Sequence, residues 1–268
     1  MTFESDSFED HAYHEWLMER LMDEYKGSRL QDHLDCRKAP NPGQHLRIRH
    51  SVPWESVIGK RKQPSRASSS AGRKRQNAGA AQNPDLIARH RPLFLDIETL
   101  GLHSSDPIFL VGLAGINDNR LEVLQLLAPN IEAEQSILSA VMQQIRSCKR
   151  LVTYNGKSFD LSRLKSRFSY YGMPKLDSLP LHWDLRYPAK DAFGAILHDT
   201  KLQTIGEYLG CETSDEDLPG KHVPKYYTAY LENKNIGPIM PVIEHNRDDM
   251  VRLASLLSYL CFKGIVAG

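Results

Sequence analysis

Apolar positions change period along the chain, and the changes separate a helical beginning, an unpatterned middle and a densely patterned remainder. In residues 8 to 26, Tyr13, Leu17, Leu21 and Tyr25 recur at four-residue spacing beside Trp16, interleaved with acids. That pattern predicts an amphipathic helix that needs a surface to cover. Pro40, Pro42, Gly43 and Pro53 break up the stretch that follows, within which Leu46 to Ile48 fits a short strand. From Gly59 to Pro84 there is no Val, Ile, Leu, Met or aromatic residue, so the segment lacks the apolar surface that would order it and reads as a disordered linker.

Beyond the linker the pattern is regular. Leu93 to Leu95 run into Asp96 as a buried strand, and Ile108 to Ile116 and Leu121 to Leu127 fit two more strands around a turn at Asn117 to Asn119. These make a three-strand antiparallel meander. Ile137, Val141 and Ile145, with Leu138 and Met142, mark a helix, Leu151 to Tyr154 a short strand, and Leu161, Leu164, Phe168 and Tyr171 the next helix. Leu181 to Leu185 fits a further strand, and helices fit Leu202 to Leu209, Lys225 to Glu232 and Ile243 to Leu260. The order βββαβαβα predicts an α/β fold with a mixed five-stranded sheet, the meander joined by parallel strands and flanked by helices. The expected organisation is an N-terminal extension at 1–58, a basic linker at 59–85 and a folded domain at 86–268.

Composition narrows the class only a little. At 41% hydrophobic and 25% charged the chain resembles ordinary globular proteins, and no apolar run approaches the ~18 residues of a membrane span. Glu4, Asp6, Glu9 and Asp10 replace the basic and apolar regions of a signal peptide, which implies the cytoplasm and no membrane partner. Cys36, Cys148, Cys211 and Cys261 lie far apart and read as reduced thiols rather than a zinc or disulfide framework. A net charge of +1 conceals one concentration: Lys60, Arg61, Lys62, Arg66, Arg73, Lys74 and Arg75 stand in the linker without an acid. Such a segment is either a solvated tether or a phosphate-attracting arm whose binding weakens with salt.

The chemistry begins in the strand ending at Thr99. Side chains alternate across a strand, so Asp96 and Glu98 share one face, where their repulsion raises a pKa unless a cation lies between them. Hard ions such as Mg²⁺ or Mn²⁺ suit oxygen ligands; the plainer alternative is a strand end whose acids reach solvent. Asp160 follows a turn for which Gly156 supplies flexibility; it is either the cap of the next helix, a role Ser158 shares, or a third ligand at the same end of the sheet. In the last helix His245, Asp249, Leu253 and Leu256 form one stripe, so Asp249 points with the core-facing leucines and needs a partner there. Asp248 lies about 100° round the helix and is expected to pair with Arg252 at the surface. His245, one turn from Asp249, is the candidate general base.

The motifs Asp96-Ile-Glu98-Thr-Leu-Gly, Asn155-Gly-Lys-Ser-Phe-Asp160 and His245-Asn-Arg-Asp-Asp249 together resemble the three exonuclease motifs of the DEDD superfamily. The likeness is strongest to its YprB-like ribonuclease H-like branch, with His182-Trp-Asp184-Leu, Lys201-Leu-Gln-Thr-Ile-Gly, Leu218-Pro-Gly and Tyr226-Tyr227-Thr-Ala-Tyr230-Leu in similar places, over roughly residues 92 to 262. The resemblance implies an RNase H-like fold and two divalent ions, Mg²⁺ or Mn²⁺, held by Asp96, Glu98, Asp160 and Asp249, with His245 as base. It implies hydrolysis of nucleic acid from single-stranded 3′ ends to nucleoside 5′-monophosphates. Thr99, Leu100, Gly101, Leu102, Asn155 and Lys157 are then the candidate substrate contacts, and Asp184 a supporting acid rather than a ligand. One departure is that three residues separate His245 from Asp249, where the His-bearing exonucleases usually have four. Lys157, Arg163, Lys165 and Arg167 are candidates for a basic groove, with an ordinary solvated helix face the better reading for at least half of them. Two rivals are a non-catalytic nucleic-acid-binding module of the same fold and an RNase H-like endonuclease.

Overall fold

The acid-bearing strand lies inside a seven-stranded sheet in the computed structural model of the chain, which describes residues 16–24, 26, 36–37, 43–59, 84–176, 180–211 and 218–266. Its strands are β1 (Cys36–Arg37), β2 (Leu46–Pro53), β3 (Pro92–Thr99), β4 (Ile108–Asn117), β5 (Arg120–Leu127), β6 (Arg150–Thr153) and β7 (Leu181–Asp184), in the order β1-β2-β5-β4-β3-β6-β7. The pairs β3·β6 and β6·β7 are parallel and the others antiparallel. The described helices are α1 (residues 16–24), α2 (Trp54–Ile58), α3 (Pro84–Ala88), α4 (Glu134–Ser147), α5 (Asp160–Tyr170), α6 (Arg186–Phe193), α7 (Leu202–Leu209), α8 (Val223–Asn233) and α9 (Ile239–Phe262).

The meander, the parallel strands and the flanking helices are as the pattern predicts, but the sheet has seven strands rather than five. The strand β2 extends the expected Leu46 to Ile48 segment to Pro53 and pairs along its whole length with β5, from Leu46↔Leu127 to Pro53↔Arg120. Only one side of it is buried, so Leu46 and Ile48 carry the apolar signal alone among Arg47, Arg49 and His50. The two-residue turn between β4 and β5 is a left-handed one, with Asp118 at φ 45° and Asn119 at φ 60°, which these short polar side chains tolerate and which matches strand twist.

Side chains of β3 alternate between two apolar layers. Leu95 and Ile97 join Val111 and Leu113 of β4 beneath α4 and α5, in a cluster that also takes Leu17, Met18 and Leu21 of α1. Phe94, Ala114, Val123 and Val152 face α6, α7 and the apolar half of α9, from Met250 to Leu260. Each fully buried aliphatic or aromatic side chain contributes about 1.5–3 kcal/mol, so both layers hold β3 in place. Asp96 and Glu98, in phase with Phe94, therefore sit on the α9 side. Tyr13, Tyr25 and the basic cluster from Lys60 to Arg75 lie outside the described residues. Among the described residues no helix is long and apolar enough to cross a membrane.

Candidate active site

Two features of the sheet make room at Asp96. It lies opposite Gly112 of β4, which lies opposite Gln125 of β5, and a bulge between Glu98 and Thr99 shifts the register at the strand end. Helix α9 crosses above this row. Asn246, fully buried, drops its side chain over Gly112, where a Cβ would stand 2.4 Å from the Asn246 Oδ1, and its Nδ2 donates to Asp96 Oδ2 at 2.8 Å. Neither residue was singled out as functional by the sequence pattern. An Asn inside the His245 to Asp249 motif and a glycine mid-strand were the available signals.

One residue earlier on α9, His245 Nε2 stands 3.9 Å from Glu98 Oε1 and 3.7 Å from Asp249 Oδ2. The helical stripe thus brings His245 and Asp249 together with Glu98. Asp249 Oδ1 accepts from Arg252 Nη1 at 2.7 Å. The expectation that Asp248 lies at the surface is corrected: it is 2% exposed and accepts from Arg247 Nε and Nη2 at 3.0 and 2.8 Å. The longer helix and its neighbour α7 enclose a face that local periodicity marks as solvent.

Asp160 arrives from the turn after β6. Asn155 takes φ 65°, a left-handed conformation that Asn tolerates, so the sharp turn belongs to Asn155 rather than Gly156. Gly156 is required for another reason: a Cβ there would lie 2.2 Å from Thr153 Oγ1. Asp184, at the end of β7, accepts from the backbone N–H groups of Asn155 at 2.8 Å, Lys157 at 3.0 Å and Arg186 at 3.2 Å. It ties the turn to the sheet. Asp160 does not act as a helix cap; it is the first residue of α5, whose N-terminus has no side-chain cap, and its buried Oδ1 has no hydrogen-bond partner.

Electrostatics couple these acids. Burial raises the Asp96 carboxyl well above its usual range, and the charges of Glu98, Asp160 and Asp249 add to the rise against the opposing Asn246 hydrogen bond. Glu98 is pushed up to about 7, by burial first, with His245 lowering and Asp249 raising it. Asp160 is also pushed up to about 7, again by burial first and then by Glu98 and Asp184, against its own backbone N–H. Among the described residues no three His, Cys, Asp or Glu side chains already stand in a metal-ligating arrangement. What fits a divalent cation is the donor set: hard carboxylate oxygens, mutually repelling, one of them buried without a partner.

The segment after β3 is tightly built. Thr99 Oγ1 donates to Gly101 O at 2.7 Å, Leu100 N to Pro107 O at 3.0 Å, and His103 N to Asp106 Oδ2 at 2.7 Å. Leu102 is 84% exposed at the tip. Two of the groove candidates hold this loop from behind. Arg163 donates to the Leu102 carbonyl, and Arg167, buried, donates to Ser105 O at 2.6 Å while pairing with Glu134 at 2.5 Å. Those two are removed from the basic groove. Lys165 is exposed, and Lys157 Nζ lies 5.6 Å from the exposed Tyr187 ring.

Comparison with known proteins agrees with this architecture. The chain is 31% identical over 175 residues to the uncharacterized protein YprB of Bacillus subtilis (strain 168), a match that covers 63% of this chain and 42% of YprB, so it spans less than half of that relative's length. Its fold is similar to that of the family B DNA polymerase from the hyperthermophilic archaeon Pyrobaculum calidifontis, with a TM-score of 0.52 at 20% identity over 64% of this chain and 24% of the polymerase. Residues 93–261, which carry β3, the Asp160 turn and most of α9, match the RNase_H_2 family profile, and the chain belongs to the RNase_H superfamily.

Proposed function

We propose that the chain is a metal-dependent 3′–5′ exonuclease of the DEDD type that releases nucleoside 5′-monophosphates from single-stranded nucleic acid. The observation that carries this reading is the convergence of Asp96 and Glu98 from β3, Asp160 from α5 and Asp249 from α9, each of the first three held above its usual pKa by burial and by the other acids. Arg252 offsets the charge of Asp249 alone; burying Asp96, Glu98 and Asp160 together as carboxylates costs several kcal/mol more, which favours a site built for cations. Asp96, Glu98, Asp160 and Asp249 would hold two divalent ions, Mg²⁺ or Mn²⁺. When bound, such ions neutralise the acids and polarise the scissile phosphate.

The chain's own residues do the rest. His245, whose Nε2 lies 3.9 Å from Glu98 and 3.7 Å from Asp249, takes the proton of the attacking water. Asp184 holds the 155–160 turn, so that Asp160 keeps its place when substrate arrives, and Lys157 on that turn faces the phosphate backbone. Thr99 to Leu102, braced by Arg163 and Arg167, hold the terminal nucleotide, with exposed Leu102 against its base. Asn155 contributes through its backbone turn.

The test is a 5′-labelled single-stranded oligonucleotide incubated with Mn²⁺ or Mg²⁺ and resolved nucleotide by nucleotide. Stepwise shortening from the 3′ end, stopped by EDTA and absent in Asp96→Ala, is the expected result. Equal cleavage by wild type and Asp96→Ala, or cutting of a circular substrate, would overturn the exonuclease assignment.

A further inference from the structure

A chain of hydrogen bonds, part-buried at its two ends and buried in the middle, leads from strand β2 into the site. His50 Nε2 lies 2.9 Å from Gln125 Oε1, Gln125 Nε2 donates to Asn246 Oδ1 at 2.9 Å, and Asn246 Nδ2 donates to Asp96 Oδ2 at 2.8 Å. The register explains how these groups meet. Asp96, Gly112, Gln125 and Ile48 form one cross-strand row through β3, β4, β5 and β2, and His50 stands two residues along β2 on the same face.

The direction of the chain is determined at one point. Gln125 Nε2 also donates to the Ile243 carbonyl at 2.8 Å, and a carbonyl only accepts. The Gln125 amide therefore points its nitrogen to Ile243 and Asn246 and its oxygen to His50, which must donate from Nε2. Asn246, accepting at Oδ1, then presents its N–H₂ to Asp96, which must accept. Gln125 and Asn246 are both 0% exposed, and both N–H groups of Gln125 are used. Buried amides of this kind are tolerated only when so satisfied, and a satisfied network specifies one arrangement.

We propose that His50, Gln125 and Asn246 are positioning residues: they set the orientation of the Asp96 carboxylate, and so couple β2, a strand outside the 93–261 family match, to the nuclease site. An amide does not pass a proton on, so the relay orients and does not conduct. Gly112 belongs to it, because any side chain there would push Asn246 off Asp96. The inference rests on the reading of Asp96 as a metal-binding acid of a nuclease.

The test uses the full chain and has two readouts. The first is the side-chain N–H₂ signal of Asn246 in ¹⁵N-resolved NMR, assigned by its loss in Asn246→Asp. The second is Mn²⁺ affinity by calorimetry. His50→Phe keeps a flat ring without the donor, and His50→Gln restores a donor. We expect His50→Phe to shift the Asn246 signal and weaken Mn²⁺ about three- to fivefold, His50→Gln to return both near wild type, and Asn246→Leu to weaken Mn²⁺ about tenfold. Gly112→Ala, which leaves every polar group in place, should shift the Asn246 signal as His50→Phe does. An unmoved Asn246 signal in both His50→Phe and Gly112→Ala overturns the relay, as does equal Mn²⁺ weakening in His50→Phe and His50→Gln. If all these effects appear in a protein that degrades no oligonucleotide, the relay stands and the exonuclease reading falls.

Discussion

Replacing Glu134 with Ala breaks the most completely buried ion pair described in the chain, and its cost follows from what Glu134 holds. The carboxylate accepts from Arg167 Nε at 2.7 Å and Nη2 at 2.5 Å, from Tyr171 Oη at 2.9 Å and from the Ile108 backbone N–H at 2.8 Å. The side chains of Arg167 and Glu134 are 5% and 1% exposed, so screening by water is slight. The Glu134 hydrogen bonds raise the Arg167 pKa, and that rise is lost with Glu134, but a guanidinium is not deprotonated in a protein even without a partner, so Arg167 stays charged. Removing one member of such a pair costs about 3–5 kcal/mol. A domain of this size loses about 2–4 °C in Tm per kcal/mol, so Glu134→Ala should melt about 6–20 °C lower. Urea unfolding followed by circular dichroism measures the free energy directly. The double variant Glu134→Leu/Arg167→Met, which removes both charges, should recover more than half of the loss. A loss below about 1 kcal/mol in the single variant, or a double variant no better than the single, would refute the argument that a buried charge pair locks the 99–107 loop.

Two further outcomes test the site itself. Glu98 and Asp160 ordinarily titrate at 4.5 and 3.8 but are pushed up to about 7 in the folded chain. Between those limits the folded state binds protons the unfolded state has released, so metal-free stability falls as pH rises through that window and stays lower above it. Thermal melts in EDTA should show Asp160→Asn gaining on wild type at pH 8 but not at pH 5, and Mn²⁺ at about 100 times its Kd should add about 2.7 kcal/mol to wild type at pH 8; equal effects of Asp160→Asn at both pH values would contradict this. Leu102→Ala should leave Tm nearly unchanged, as surface substitutions do within about 0.5 kcal/mol, while raising KM for an oligonucleotide several-fold, and an unchanged KM in steady-state assays would remove Leu102 from the substrate site.

Much of this architecture can be read from local pattern. The three meander strands, the two short parallel strands and the helices at Leu202–Leu209 and Ile239–Phe262 come within a few residues of their expected limits. The stripe that places His245 and Asp249 on one helical face is a matter of spacing, and their Nε2 to Oδ2 distance of 3.7 Å reflects it. Less visible were α2 and α3, each 5 residues long and too short for a clear period, and α6, whose 8 residues carry Pro188 and few apolar positions. Arg163 and Arg167 show why charge misleads: on a helical wheel they are basic surface residues, and only the loop packed behind them turns one into a buried partner of Glu134. Asp160 shows the reverse, since a residue with the look of a cap keeps an oxygen free of any cap bond.

By itself the sequence determined the meander, the parallel strands and the longer helices, and that Asp96 and Glu98 share a strand face and His245 and Asp249 a helical one, because side-chain period and helical spacing are properties of the backbone within a few residues. Only the tertiary structure decided that Asn246 bonds Asp96 across 150 positions, that Gln125 joins them across 121, and that β2 lies beside β5 and brings His50 to Gln125 across 75. Such contacts depend on strand register and on a glycine left empty at position 112, which no local window contains.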